Sequence, residues 1–487
     1  MRIAIYNRWL LTQGGGERHS LALAAVLAQH HAVTVITYQP ADLQVIGAFL
    51  DLDLGALKLV VVPDTPSGRF VTDASAEYDV FIGASHTDVV VPQARHNWLL
   101  VFFPAHLAGS PDVDLLLEGW YPPEHGQHGA FRWSDAEAAL VFRPMPSRRL
   151  VELHLAALSA GTRLRVLCES GESVHRLSTT PQWVRVQLPA GARRISLRVD
   201  TPYRPPGDPR LLGAALYAVR SRTRGWRRAW QRTMSADQLV AQSGPTAAVL
   251  QRYQLILANS HFTQRWIERR WGLTSQVLYP PVEFVPPTGI AKQRLIISVG
   301  RFFPGGHAKN HAVLIAAWQQ LQARGTGDWR LVIVGGLDTT EPSHRQYFED
   351  LQARIESASV TLAPNLPADE LRRFYAEASL YWHAGGYGID AEQQPELVEH
   401  FGITVAQALA AGAVPLVYSV GGPTEIVRNG VDGRHWQTVD ELVAATYALM
   451  QDPLQRSALA GQGRLRAADF RPAAFEQRVW ELESDWE

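Results

Sequence analysis

Short apolar runs recur along the first hundred residues, separated by amphipathic or turn-rich segments. Arg2–Asn7, Val33–Tyr38, Lys58–Val62, Val80–Ala84 and Trp98–Phe103 read as buried strands, with a helix over Glu17–Gln29. Continuous apolar strands alternating with helices predict a parallel sheet with crossover helices. From about Phe131 to Asp200 the pattern changes to strict alternation, as in Val151-Glu152-Leu153-His154-Leu155, Val184-Arg185-Val186-Gln187-Leu188 and Ile195-Ser196-Leu197-Arg198-Val199. Half-buried antiparallel strands at this spacing predict a β-sandwich of roughly 100 residues.

Beyond an arginine-rich stretch, Arg220 to Arg232, the first rhythm resumes. Leu255–Ala258 and Gln276–Leu278 read as strands, Pro280-Pro281 as a hinge, and a second set follows: Arg294–Val299, Arg330–Val334, Val360–Leu362, Leu380–His383 and Val414–Tyr418. The end, Ala473 to Trp486, reads as an amphipathic helix. The expected division is a first Rossmann-like domain in two parts, 1–117 and 219–284, with a β-sandwich of 118–218 inserted. A second Rossmann-like domain follows over 285–465, then a C-terminal segment over 466–487.

Composition narrows the class. With 487 residues, 46% hydrophobic and 19% charged, the chain is globular and too long for one ordinary core. A formal net charge of −1 offers no global field for nucleic acid, so none is expected as a partner. Cys168 is the single cysteine, which fits a reducing compartment and predicts a cytoplasmic location. The Met1-Arg2 start runs directly into a strand without the order of a secretory signal, and no apolar stretch reaches the roughly 20 residues of a membrane span.

Three segments carry candidate chemistry. Gln13-Gly14-Gly15-Gly16-Glu17-Arg18 follows the first strand and opens a helix. Gly15 and Gly16 let the backbone approach a ligand, and the helix amides favour an anion. A tight strand-to-helix turn explains those glycines equally well. Strand Leu295–Val299 runs into Gly300-Arg301 and on to Lys309, one of three lysines in the chain. Arg301 can grip two oxygens and Lys309 can neutralise developing charge, as a diphosphate requires. In Glu399-His400-Phe401-Gly402-Ile403-Thr404-Val405-Ala406-Gln407 a loop becomes a helix near Gly402. Amides around 401–403 can then face a phosphate or a sugar hydroxyl, and Glu399 can accept from sugar hydroxyls. Upstream, Tyr381-Trp382-His383-Ala384-Gly385 supplies a strand end with a small-residue loop.

Taken together these segments resemble the signature of retaining glycosyltransferases of family 4. The early Gly-Gly-Gly-Glu-Arg, the Val299-Gly300-Arg301 turn with Lys309, Glu399-x-Phe401-Gly402 and Gly421-Gly422-Pro423-Thr424-Glu425 match in order, across about 1–115 and 240–487. The resemblance implies a GT-B fold of two facing Rossmann-like domains, a nucleoside diphosphate sugar as donor, no metal or other cofactor, and a last helix returning to the first domain. By similarity Arg301 and Lys309 hold the diphosphate, Glu399 and the Phe401-Gly402 amides hold the transferred sugar, and Gly385, His400 and Ile403 complete the donor site with Gly300. Asn365 and Leu366 lie near the base and position 407 meets the ribose. The family usually has Glu where Gln407 stands, which removes a charge from that contact. The family's first-domain histidine has its nearest counterpart in His106, with His86 as a second candidate; a solvated loop histidine is the plain alternative.

The expected partners are a nucleotide-sugar donor and a glycan or lipid-linked acceptor. Arg220–Arg232, with Trp226 and Trp230, is a candidate for peripheral contact with the inner face of a membrane, or a charged helix face with Trp packed inward. Trp120, Tyr121, Trp133 and Trp183 are candidates for carbohydrate stacking, or for the core of the sandwich. Two other functional classes stay open: a non-catalytic glycan-binding paralogue, for which Gln407 argues, and another enzyme of the fold such as an epimerase or a phosphorylase.

Overall fold

The computed structural model describes the chain except residues 13, 67, 86–87, 108–114, 143–146, 207, 225–228, 237–239, 242–244, 285–286, 288, 306 and 487. It divides into two compact units. The first holds Met1–Leu100, Pro104–Ile256 and Arg270–Gly272; the second holds Val101–Phe103, Leu257–Arg269 and Leu273–Glu487. Among the described residues no helix is long and apolar enough to cross a membrane.

The first unit opens with β1 (Arg2–Asn7), β2 (Ala32–Thr37), β3 (Lys58–Val61), β4 (Val80–Ser85) and β5 (His96–Val101), in the sheet order β3-β2-β1-β4-β5. Parallel pairing joins β1 to β2 and β4, and β2 to β3. The glycine loop ends earlier than the sequence suggests: the helix after β1 begins at Gly15 and runs to Leu27. Glu17 explains this early start. Its buried carboxylate turns back to accept from the Gly14 amide at 2.8 Å, satisfying a donor the helix leaves open.

An antiparallel region follows: β6 (Leu115–Trp120), β7 (Glu124–Gly126), β8 (Gly129–Phe142), β9 (Arg149–Ala157), β10 (Thr162–Cys168), β11 (Gly171–Leu177), β12 (Gln182–Leu188), β13 (Arg194–Val199), β14 (Ala214–Arg224), β15 (Ala229–Ser235) and β16 (Val240–Ala241). The long β8 belongs to two layers. Its second half pairs with β13 and β6, while Arg132 and Trp133 pair with β14, beside β9 and β12. Alternate residues of both layers meet in one apolar core: Leu140, Leu164, Val166, Ile195 and Leu197 from one, Val151, Leu153, Leu155, Val184 and Leu216 from the other.

The boundaries 118 and 218 fall inside this region, which runs from Leu115 to Ala241. The described parts of Arg220–Arg232, 220–224 and 229–232, are therefore antiparallel strand residues of β14 and β15 and not a helix; the side chains from 223 to 232 lie outside the described residues. Trp120, Tyr121 and Trp133 are buried, so the reading of these three as exposed sugar platforms is corrected; Trp183 is half-buried. Tyr121 also ties the region to the first sheet. Its hydroxyl donates to the Asp64 carbonyl at 2.7 Å, and Asp64 accepts both oxygens' worth of bonds from Arg8 at 2.8 and 2.9 Å. The bland reading, core packing, wins for those rings because each finds a polar partner or an apolar pocket inside.

The chain returns through β17 (Leu255–Ala258), whose first residues lie beside β5, and in the second unit β17 pairs with β18 (Gln276–Val277). The second unit's main sheet is parallel. It contains β19 (Gln293–Val299), β20 (Arg330–Gly335), β21 (Val360–Pro364), β22 (Ala378–His383), β23 (Val414–Tyr418) and β24 (Arg434–Trp436), in the order β21-β20-β19-β22-β23-β24. Consecutive residues supply opposite faces. Ile296, Ile333, Leu380, Trp382 and Leu416 enter one core, and Ile297, Val299, Val334, Tyr381 and Val417 the other. Both faces are covered by helices, which is why these strands read as unbroken apolar runs.

The corrected boundaries predict different outcomes for two deletions. Replacing 115–241 by a short Gly/Ser linker should leave soluble protein, because β6 and β16 pair in parallel at Leu116 and Val240 and so bring the two cut ends close. Replacing only 119–210 strands Leu216 and Val219 of β14 without their core and should send the protein to the pellet. Solubility after expression and a thermal unfolding transition check both.

Candidate functional site

The C-terminal ends of β19 and its sheet neighbours β20, β21 and β22, with the loop leading into the helix Ile403–Ala411, bring together most of the residues singled out by sequence, and they do so in the second unit. In open parallel sheets these ends are where ligands bind. Close approach begins at the first two strands. A side chain on Gly335 would run into the Gly300 carbonyl, and one on Gly300 would run into the stem of Lys309. Lys309 is thereby laid across the end of β19. Arg301 extends outward, its guanidinium 5.0 Å from the Phe303 ring centroid, and the bare face of Gly336 looks toward Arg301 and Asn365.

Lys309 Nζ forms an ion pair and hydrogen bond with Glu399 Oε2. The buried His383 stands at the end of β22 with its Nε2 3.8 Å from the same oxygen. Burial by itself would raise the Glu399 pKa, but Lys309 and then His383 hold it well below the usual carboxylate range. Burial pushes His383 down, and Glu399 offsets only part of that, so the imidazole stays neutral near pH 7. Gly385 packs on the edge of that imidazole, where a Cβ would sit 2.9 Å from a ring carbon.

Backbone bonds fix the loop holding Glu399. The Gly422 amide donates to the Glu399 carbonyl at 2.8 Å, and Gly421 and Gly422 touch the backbone of residues 399–401 too closely for any side chain. His307 takes a positive φ of 61° and sets its Nδ1 3.1 Å from the Val398 carbonyl. Gly402 then caps the helix Ile403–Ala411 with φ 111°, a conformation that favours glycine. Beside it His400 stacks on Phe103 with centroids 4.2 Å apart, and His307 meets the same imidazole edge-on at 5.0 Å. Phe401 is buried against Tyr279 and Phe470, and Ile403 is half-buried on the same core.

Two of the expected residues have side chains already engaged. Asn365, at φ 53°, holds the Leu337 backbone from both sides, accepting from its amide at 2.8 Å and donating to its carbonyl at 2.9 Å. Leu366 packs on the core beside it. The carbonyl of Gln407 lies 3.2 Å from the Tyr375 hydroxyl, which stands equally far from the Thr404 carbonyl, and burial holds that phenol protonated, far above its ordinary pKa. Gly15, Gly16 and His106 belong to the first unit; His106 is exposed there, and His86 lies outside the described residues.

His383, His307 and Asn310 were missed as site residues by sequence reasoning. His383 carried the one available signal, a histidine ending an apolar strand just before Gly385. Asn310 donates to the Ala384 carbonyl at 2.8 Å and pins the loop of Lys309 to the end of β22.

Residues 283–466 match the family model for glycosyl transferases group 1. This part of the chain is similar to the glycosyl transferases group 1. It contains Arg301, Lys309, His383, Glu399 and Gln407. The chain is similar to GDP-Man:Man(3)GlcNAc(2)-PP-Dol alpha-1,2-mannosyltransferases, being 27% identical over 186 residues to that of Mus musculus and 26% identical over 241 residues to that of Xenopus laevis. The matches cover 35% and 46% of this chain, and the chain spans only 35% and 46% of those two relatives. Among solved structures, Anabaena HepE in complex with UDP aligns over 100% of both chains with TM-score 0.56 at 14% identity. Sucrose-phosphate synthase from Thermosynechococcus elongatus aligns over 100% of this chain and 98% of its own with TM-score 0.53 at 13% identity. These likenesses give the fold class: GT-B, with two Rossmann-like domains.

The Lys309–Glu399 ion pair sets a pH dependence. A carboxyl whose folded pKa is depressed stabilises the fold above its ordinary value, and that contribution is lost as pH falls through the folded pKa. Lys309→Met should therefore cost roughly 1.5–3 kcal/mol at pH 7. It should also reduce the loss of stability below pH 4.5, the ordinary Glu value, that the intact protein shows. Urea unfolding at pH 7 and pH 4 reads both effects.

Proposed function

We propose that the chain is a retaining glycosyltransferase that moves a sugar from a nucleoside diphosphate donor to a glycan or lipid-linked glycan acceptor. The observation that carries this reading is the set Lys309, Glu399 and His383 at the strand ends of a region similar to the glycosyl transferases group 1, with Arg301 alongside. In this reading Arg301 and Lys309 hold the donor diphosphate. Glu399, kept ionised, accepts from hydroxyls of the transferred sugar, and the free amides at the start of Ile403–Ala411 face the same anion.

The chemistry follows from charge. As the bond from the sugar's anomeric carbon to the diphosphate oxygen breaks, negative charge grows on the leaving group. Arg301, Lys309 and the helix-end amides are fixed dipoles and charges aimed at that growth. Lys309 then bridges two anions, the diphosphate and Glu399. The carboxylate thereby keeps the ammonium in place before the donor arrives, so little reorganisation is left for the reaction. The acceptor hydroxyl attacks from the face the diphosphate leaves, which retains the anomeric configuration and delivers its proton to the departing phosphate oxygen.

Gln407 fits a ribose contact without the family's charge. Its carbonyl shares the Tyr375 hydroxyl with the Thr404 carbonyl, leaving a lone pair and the amide protons for the ribose. The names of the relatives make GDP-mannose the first donor to test, and the UDP-bound neighbour makes UDP-glucose the second.

Incubation of the full chain with each donor and a lipid-linked oligosaccharide should yield a hexose-extended product by mass spectrometry. No product with any nucleotide sugar would sink the enzymatic reading in favour of a glycan-binding paralogue. Arg301→Ala should weaken nucleoside diphosphate binding by about tenfold or more, the equivalent of 1.5 kcal/mol upward, and calorimetry reads this without turnover. Gln407→Glu should bind the nucleotide at least as tightly as the parent, since Tyr375 can donate equally to a carboxylate. A fall in affinity in the folded variant would remove position 407 from the ribose.

A further inference from the structure

His307 lies in the loop that joins the two cations assigned to the donor diphosphate, with Arg301 at one end and Lys309 at the other. A carbonyl oxygen can only accept, so Nδ1 of His307 carries the proton that it donates to the Val398 carbonyl at 3.1 Å. That bond spans 91 residues of sequence and anchors the ring. The backbone beneath it has φ 61°, in the left-handed region where a side chain other than glycine costs free energy. Residues held this way cluster at functional sites. His307 is exposed, and its ring meets the imidazole of His400 edge-on at 5.0 Å. The anchored nitrogen also settles the state of the other one. In neutral His307, Nε2 is a bare lone pair.

The charge on the ring is set by groups that belong to the donor site. Desolvation comes first and holds the His307 pKa below the ordinary histidine value. Lys309 and Arg301 act in the same direction, while Glu399 and the bond to Val398 oppose them. The charged and titratable groups facing the ring are therefore Arg301 and Lys309 from its own loop, and Glu399 and His400 from the segment before the helix Ile403–Ala411. With the site empty His307 is neutral near pH 7. A diphosphate reverses that balance, because it brings negative charge to the two cations that disfavour the imidazolium.

We propose that His307 is a further ligand of the donor diphosphate, which takes up a proton as the nucleotide sugar binds and donates from Nε2 to a phosphate oxygen. This rests on the assignment of Arg301 and Lys309 to the donor. The proton comes from solvent, and no covalent bond other than that N–H is made. The imidazolium adds a charge-assisted contact while the anion is present, and is absent from the empty loop, where it would repel Lys309 and Arg301. It also adds positive charge where the leaving group becomes more negative. A sugar hydroxyl at the same nitrogen would need no proton and would leave binding indifferent to pH. Binding that raises a histidine pKa is strongest below the value in the empty site, and it weakens as pH rises through the value in the complex.

The test is calorimetric titration of the full chain with GDP-mannose and UDP-glucose at pH 6, 7 and 8, in buffers of different ionisation enthalpy. Both donors have a diphosphate esterified at each end, with no group of its own that titrates in this range, so the protons counted belong to the protein. For whichever donor binds, the expected result is net proton uptake at pH 7 and roughly tenfold tighter binding at pH 6 than at pH 8, as one charge-assisted contact requires. His307→Asn, a residue that tolerates the same φ, should bind at every pH with the affinity the parent shows at pH 8, and without proton uptake. His307→Gln should behave alike, and the thermal transition confirms that both variants are folded. Parent binding without proton uptake, or uptake that survives in both folded variants, would overturn the proposal and leave the donor assignment standing. Neither donor bound by the parent at any pH would overturn both.

Discussion

The pair Lys309–Glu399 is the interaction on which the arrangement of the second unit's strand ends depends. It joins the loop after β19 to the loop before the helix Ile403–Ala411, and His383 from the end of β22 stands against the same carboxylate oxygen. Three segments far apart in sequence are thereby brought to one charged point. Such a pair is costly to desolvate and weak as a stabiliser by itself. Its value here is positional: Lys309 is held over Gly300, and in the proposed reading a diphosphate joins it there without expelling Glu399.

Packing makes that point rigid. The Gly300, Gly335, Gly385, Gly421 and Gly422 positions all lack room for a side chain, because the Lys309 stem, backbone atoms or the His383 imidazole already occupy the space. Asn365 clamps Leu337 and Asn310 clamps Ala384, so the loops are tied to the sheet by amide side chains. Beneath them lie two apolar cores on opposite faces of one parallel sheet. Loops that carry function on a rigid scaffold are the usual solution in this type of architecture.

Much of this was legible in the sequence. The parallel strands were, since both faces are buried and Ile296–Val299 or Leu380–Trp382 cannot be mistaken for surface. Arg301, Lys309 and Glu399 were legible as charged groups at strand and helix ends, but the pairing of Lys309 with Glu399 was not, because it spans 90 residues. His383 was not, since one histidine at a strand end has no spacing to announce it. The edge of the antiparallel region was misplaced because β14 is irregular: a bulge between Leu216 and Ala218 breaks its alternation, and its outward arginines resemble a charged linker. Aromatic residues misled in the same region. Trp120, Tyr121 and Trp133 fill its interior, and only contacts in space separate them from Trp183.

If Lys309 and Arg301 hold the leaving group, the second phosphate must carry much of the nucleotide's affinity. Calorimetric titration of the full chain with GDP and UDP, each against its monophosphate, measures this directly. The account predicts that the better diphosphate binds at least about tenfold tighter than its monophosphate, as one charge-assisted contact of roughly 1.5 kcal/mol requires. Equal affinity for diphosphate and monophosphate would contradict it.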